Sequence, residues 1–297
     1  MVAATDGPRS EDDANRKIDD GMAGSLLDHI HEEEREEAVI EQAASLAPKL
    51  IYEVIRRAGE EELSRPLTSL VYSGIAAGVM ISMSVLGEAI LRTYLPDTPS
   101  RFLVENFGYS LGFLMVIMGR MQLFTENTIT TVLPVLSRPC KEIFLKVARL
   151  WSLVLVANVI GAFAAAAMVT FTPQIPAEVL PAIGELSHHA TSFPPLEAFF
   201  RSVPAGFLVA VLVWMLPQAK SSEFFVIVFM TWLIAAGDFL HIIAGSVEMA
   251  FLVLTGALGF GGAMGFFIPV LLGNVVGGTV IFTLIAWGQV KDEVEHL

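Results

Sequence analysis

From Leu67 onward the chain alternates long apolar runs with short polar links, six runs in all. A bilayer core of about 30 Å needs about 20 apolar residues in a helix, so each run is read as a membrane span. The first covers about Leu67 to Leu91, the third about Phe144 to Phe171, the fourth about Val203 to Leu216 and the sixth about Met264 to Trp287. Two runs are interrupted. The second, Asn106 to Leu136, is apolar from Phe107 to Met118, then passes through Gly119-Arg120-Met121-Gln122 and Leu123-Phe124-Thr125-Glu126-Asn127-Thr128 before apolar character resumes at Ile129. At about 1.5 Å per residue its first half spans only about 18 Å. The fifth, Phe224 to Leu254, is broken by Gly237-Asp238-Phe239-Leu240-His241.

A lipid-facing helix does not carry Arg, Gln, Glu and Asn at its middle, because each unsatisfied polar group there costs about several kcal/mol. The pattern predicts half-helices joined by loops that face a cavity inside the protein, where a permeating solute is handled. A continuous helix with a polar stripe packed against its neighbours is the alternative. Spans two and five hold corresponding places in two sets of three. Three spans reverse the direction of the chain, so the halves form an inverted repeat, matched in position rather than in sequence.

Composition agrees with a polytopic membrane protein: 54% hydrophobic, 16% charged, mean hydropathy +0.63. The net charge of −13 lies mostly before Pro66, in stretches such as Glu32-Glu33-Glu34-Arg35-Glu36-Glu37. This divides the chain into an acidic, disordered cytoplasmic tail over 1–36, an amphipathic interfacial helix within 37–65, and a six-helix domain over 66–290. No basic surface suits nucleic acid. The single Cys140 allows no intramolecular disulfide, and His188-His189 lack a third ligand, so neither metal nor cofactor is expected. Lys and Arg cluster before span one and after spans two, four and six, which places both termini in the cytoplasm.

These residues resemble the formate/nitrite transporter family. Ser110-Leu111-Gly112 followed by Leu123-Phe124-Thr125 looks like that family's second helix and midplane loop, and Asn158 with Gly161 is similar to its third-helix Asn-x-x-Gly. The run Ile268-Pro269-Val270-Leu271-Leu272-Gly273-Asn274-Val275-Val276-Gly277-Gly278 looks like its sixth-helix signature, and His241 lies where the family places a pore histidine. The resemblance implies an all-α, aquaporin-like bundle in a bacterial-type inner membrane. It also implies a homo-pentamer surrounded by lipid, with one pore per protomer for small monovalent anions or their weak acids.

The chain departs from the family at Gly245, where an Asn is usual, and at His188-His189-Ala190, where a vestibule lysine is usual. The segment from Gly237 to His241 is one residue longer than the family's motif.

The site residues expected are His241, to donate to the solute or pass it a proton, and Thr125, whose hydroxyl replaces an anion's water. Leu123 and Phe124 join them in the loop, Asp238 is the expected tuner of His241, and Phe113 and Tyr109 are candidate hydrophobic constrictions. Arg120 and Glu126 are expected to pair with each other or with loop carbonyls, and Glu88 and Glu248 to be buried partners of polar loop groups. Two readings compete with the anion pore. A neutral-solute pore of the aquaporin type lacks Asn-Pro-Ala in both broken spans. A serine protease reading fails on Ala244-Gly245-Ser246-Val247, which lacks the second glycine of a nucleophile turn.

Overall fold

The computed structural model describes residues 46–294, all helix and connecting turns. The tail expected over 1–36 and the start of the amphipathic segment lie outside the described residues. Helix α1 (Pro48–Ser64) buries Ile51, Tyr52, Ile55, Gly59 and Leu63 along one face, the stripe that its spacing predicts. The first span is α2 (Leu67–Tyr94). The second comprises α3 (Arg101–Glu105), a 3₁₀ turn over Asn106–Tyr109, α4 (Ser110–Met118), a break, then α5 (Phe124–Thr130) and α6 (Val132–Ser137). The third is α7 (Lys141–Phe171). A short helix α8 (Leu180–Thr191) precedes the fourth span, α9 (Pro195–Met215). The fifth is α10 (Glu223–Ala236), a break and α11 (Ile242–Leu254). The sixth runs without interruption through α12 (Phe260–Val275), a π-helical stretch Val276–Thr283 and α13 (Leu284–Val294).

Among the described residues, five helices are long and apolar enough to cross a bilayer, and the fifth span is built instead from two shorter apolar helices. Two boundaries differ from the pattern. The first half of span two starts at Arg101 and not at Phe107, giving an 18-residue helix of about 27 Å. Charge ended the apolar run there, but ion pairs continue the helix: Glu105 is held by Arg92 at 2.7 Å and by Arg101 at 3.4 Å. The fourth span also starts earlier, with Pro195 in the first turn, where its missing N–H costs nothing.

Helix pairs α2/α7 and α9/α12 form the two sides of the bundle, and glycine sets their approach. A Cβ added to Gly78 would land on the Asn158 carbonyl oxygen, and one added to Gly206 on that of Asn274. Gly161 and Gly277, each three residues after those asparagines, lie equally close to the carbonyls of Ile75 and Val203. Side chains at these positions would force the helices apart, which is the use of small residues in membrane packing. Because spans alternate, α1 lies at one end of the bundle and α8 at the other.

Candidate functional site

Both breaks are made the same way. Helix α4 ends at Gly119, whose N–H reaches Met115 O, and the following N–H groups of Arg120 and Met121 reach Ile117 O and Val116 O. Helix α10 ends at Gly237, with Asp238 and Phe239 repeating those bonds to Leu233, Ala235 and Ile234. Arg120 (φ 51°) and Asp238 (φ 55°) are the only non-glycine residues with positive φ among those described. A left-handed residue reverses the chain but is disfavoured for anything larger than Gly or Asn. Each chain then returns in extended form to a new helix start, at Leu123 (φ −104°, ψ 128°) and at His241 (φ −106°, ψ 129°).

One asparagine closes each loop. Asn158 Oδ1 accepts from the Phe124 N–H at 2.9 Å, and its Nδ2 donates to Gln122 O and Gly74 O, both at 2.8 Å. Asn274 Oδ1 accepts from the Ile242 N–H at 2.8 Å, and its Nδ2 donates to Leu240 O at 2.9 Å and Ser202 O at 2.8 Å. Both asparagines are fully buried. Backbone groups freed by a break inside a membrane must be satisfied within the protein, and here a single side chain satisfies two of them and ties the loop to a carbonyl of a neighbouring helix. The sequence reading missed that Asn274-x-x-Gly277 repeats Asn158-x-x-Gly161; that spacing was the available signal of sequence symmetry.

The two helix starts meet at the centre. His241 Nε2 lies 2.8 Å from Thr125 Oγ1. Its Nδ1 accepts the Ala244 N–H at 3.4 Å, which places the ring hydrogen of the neutral form on Nε2. Nε2 then donates to Thr125, whose own hydroxyl hydrogen remains to be offered elsewhere. Phe113 packs edge-on against the His241 ring, centroids 4.9 Å apart, and Tyr109 against Phe113 at 5.3 Å. Leu123 and Phe124 are buried beside them, with Phe124 edge-on to Trp151 at 5.7 Å.

Asp238 lies elsewhere. Its carboxylate accepts from Arg201 at 2.9 Å and pairs with His189 Nε2 at 2.9 Å, so it joins the break to α9 and α8 and not to the His241 ring. The Arg201 guanidinium also stacks on Phe193 at 4.1 Å and pairs with Glu197 at 2.8 Å. Among the described residues no ion pair joins Arg120 to Glu126; Arg120 is exposed, and Glu126 keeps a buried carboxylate oxygen without a hydrogen-bond partner. Gly245, where an Asn was expected from the resemblance, faces the Phe266 ring, which an added Cβ would approach to 2.6 Å.

A family model described as formate/nitrite transporter matches residues 49–288. The chain belongs to the formate/nitrite transporter family. Inner membrane protein YfdC of Escherichia coli (strain K12) is 40% identical over 247 residues, covering 83% of this chain and 80% of that protein. Formate channel FocA of Haemophilus influenzae is 27% identical over 246 residues, covering 73% and 84%. Among solved structures, an FNT family ion channel superposes with TM-score 0.69 at 19% identity, covering 82% of this chain and 98% of that one. A pentameric formate channel with formate bound gives 0.61 at 23%, covering 79% and 98%. These two share the fold. As a formate/nitrite transporter family member this chain is an integral membrane protein, which its apolar spans also require.

Proposed function

We propose that this chain is a channel or transporter for small monovalent anions or their weak acids, formate being the first to test, through one pore in each protomer. The observation that carries the reading is the His241–Thr125 contact at the meeting point of two half-helix starts. One hydrogen-bond donor, the Thr125 hydroxyl held in place by His241, faces a narrow place walled by Phe113, Leu123 and Phe124, where it takes the place of an anion's water while the apolar wall excludes larger or hydrated species. Membership of a transporter family and likeness to formate channels support this reading over an aquaporin-like pore and over an enzyme. A homo-pentamer with both termini cytoplasmic in an inner membrane is part of the proposal, supported by the solved formate channel's pentameric assembly and by the Lys/Arg bias.

The test is uptake of labelled formate into proteoliposomes, with glycerol swelling measured in parallel. Formate uptake that Thr125→Val reduces, in a protein that still assembles, supports the proposal. Glycerol permeation without formate uptake would replace it with the neutral-solute reading.

A further inference from the structure

Spans three and six correspond in the repeat, yet they are wound differently. Span three stays α-helical from Lys141 to Phe171, whereas span six passes into i→i+5 winding over Val276–Thr283. Such winding is rare and frequently accompanies function. Here it is reinforced by Thr283 Oγ1, which donates to Gly278 O, five residues back, at 2.7 Å. In an α-helix the residue five after Asn274 points about 140° away from it around the axis. The wider π turn reduces that angle, and Thr279 reaches α5, where its hydroxyl donates to Thr128 O at 2.6 Å. Gly278 permits the approach, since a Cβ there would strike Thr128 Oγ1. Thr128 Oγ1 in turn donates to Thr125 O at 2.7 Å, closing the first turn of the half-helix that presents Thr125.

Span six therefore grips both sides of the constriction. Asn274 holds the start at His241 through the Ile242 N–H and Leu240 O. Thr279, one π-widened turn later, holds the half-helix that carries Thr125. The repeat shows that this second grip is one-sided. Five residues after Asn158 stands Phe163, which packs on the core and has no hydroxyl to donate. Ser246 stands five residues after His241, as Thr128 stands after Leu123, and it donates within its own helix to Ile242 O at 2.6 Å. The lengths of the two half-helices explain the difference. Helix α11 has thirteen residues and packs along α7 and α8. Helix α5 has seven, too few to persist on its own hydrogen bonds. The half-helix that supplies the hydroxyl is the one that needs an outside hold.

Resting on the anion or weak-acid reading above, we propose that Thr279 is a positioning residue that sets the Thr125–His241 separation and with it the size of solute admitted, the π-helical stretch being what aims it. It acts through Thr128 and does not touch the solute. Because Asn274 and Thr279 share one rigid span, the two half-helix starts cannot drift apart without breaking a buried hydrogen bond to that span. Loss of the Thr279 hydroxyl frees α5 alone, so Thr125 moves while His241 keeps its place.

Two measurements test this. The first is imidazole nitrogen NMR of the histidine-labelled full chain in detergent, with His241→Asn to assign the His241 signal. Thr279→Val, which removes the hydroxyl at nearly constant volume, should move the Nε2 signal in the same direction as Thr125→Val, and Thr279→Ser should leave it in place. An unmoved signal in Thr279→Val overturns the proposal whatever the solute, and so does a Thr279→Ser protein that shifts as far as Thr279→Val. The second is uptake into proteoliposomes of formate and, separately, of the larger lactate. Thr279→Val should lower formate uptake, by about 10²-fold if Thr125 is displaced by about 1 Å, and should reduce the preference for formate over lactate; Thr279→Ser should restore both. An equal loss for the two solutes makes Thr279 a fold element only and overturns the positioning role. No formate uptake by wild type, with the NMR shift present, instead identifies the channel reading as the failure. If Thr279→Val does not assemble, Thr279→Ala takes its place under the same criteria.

Discussion

The two halves of this protein build the same break from different residues. Gly119-Arg120 and Gly237-Asp238 turn the chain identically, Asn158 and Asn274 satisfy the freed backbone identically, and Leu123 and His241 start the new helices with the same dihedrals. The scaffold is symmetric and the chemistry is not. At the start position one half has an apolar side chain and the other an imidazole. At the left-handed position one half has an exposed cation with no ion-pair partner among the described residues, and the other an anion fixed to two helices. The ends differ as well: α1 packs on α5 and α6, and α8 packs on α11. Backbone geometry is therefore what the repeat preserves, because every broken helix in a membrane poses the same hydrogen-bonding problem. Side chains at equivalent positions are free to specialise.

The largest effect should come from the shared element. Asn158→Leu and Asn274→Leu each leave two buried backbone groups of the break without partners, at about 1–3 kcal/mol apiece. Both variants should lose assembly, read by size-exclusion profile and thermal unfolding in mild detergent. If one is tolerated and the other is not, the halves are not structurally equivalent.

Next come the residues where the halves meet. Thr125→Val removes the hydroxyl opposite His241 Nε2 at nearly constant volume, and His241→Asn removes the imidazole. Loss of one positioned polar group should cost uptake about 10²-fold, and His241→Asn should also flatten the dependence of flux on pH. An assembled His241→Asn protein with an unchanged pH profile would show the histidine to be structural.

A smaller effect tests the helix that only one half carries. Burial raises Glu62 on α1 from the ordinary 4.5 to about 7, with its bond from Thr130 pulling the other way. The docked helix thus holds a proton that the undocked one releases. That stabilisation is complete below pH 4.5, weakens as pH rises, and is lost through about 7. Hydrogen exchange in α1, corrected for its intrinsic pH dependence, should quicken across this window. Glu62→Gln should remove the dependence while leaving exchange in α8 unaffected.

The smallest effects belong to the left-handed pair. Arg120→Ala should change stability by less than about 0.5 kcal/mol, as is usual for exposed side chains. Asp238→Asn, which weakens two partly exposed ion pairs, should cost about 1 kcal/mol or less. Asp238→Asn should also leave the midpoint of the flux–pH curve in place, since its carboxylate lies on Arg201 and His189. A shifted midpoint would restore Asp238 as the tuner of His241.

Hydropathy alone determined the spans, the two breaks and the inverted order, because burying apolar length in a bilayer leaves few alternatives for residues such as Arg120, Gln122 and Asp238. His241 and Thr125 were legible for the same reason: polar groups at membrane depth are costly without a role. The helix ends at Arg101 and Pro195 were not, since ion pairs across separate elements continue what local hydropathy ends. Nor was the destination of Asp238 legible. A carboxylate three residues from a histidine resembles a partner along the sequence, but the left-handed turn at φ 55° lets it meet Arg201 and His189 instead. Local chemistry set where the chain must break, and only packing decided which polar groups found partners across those breaks.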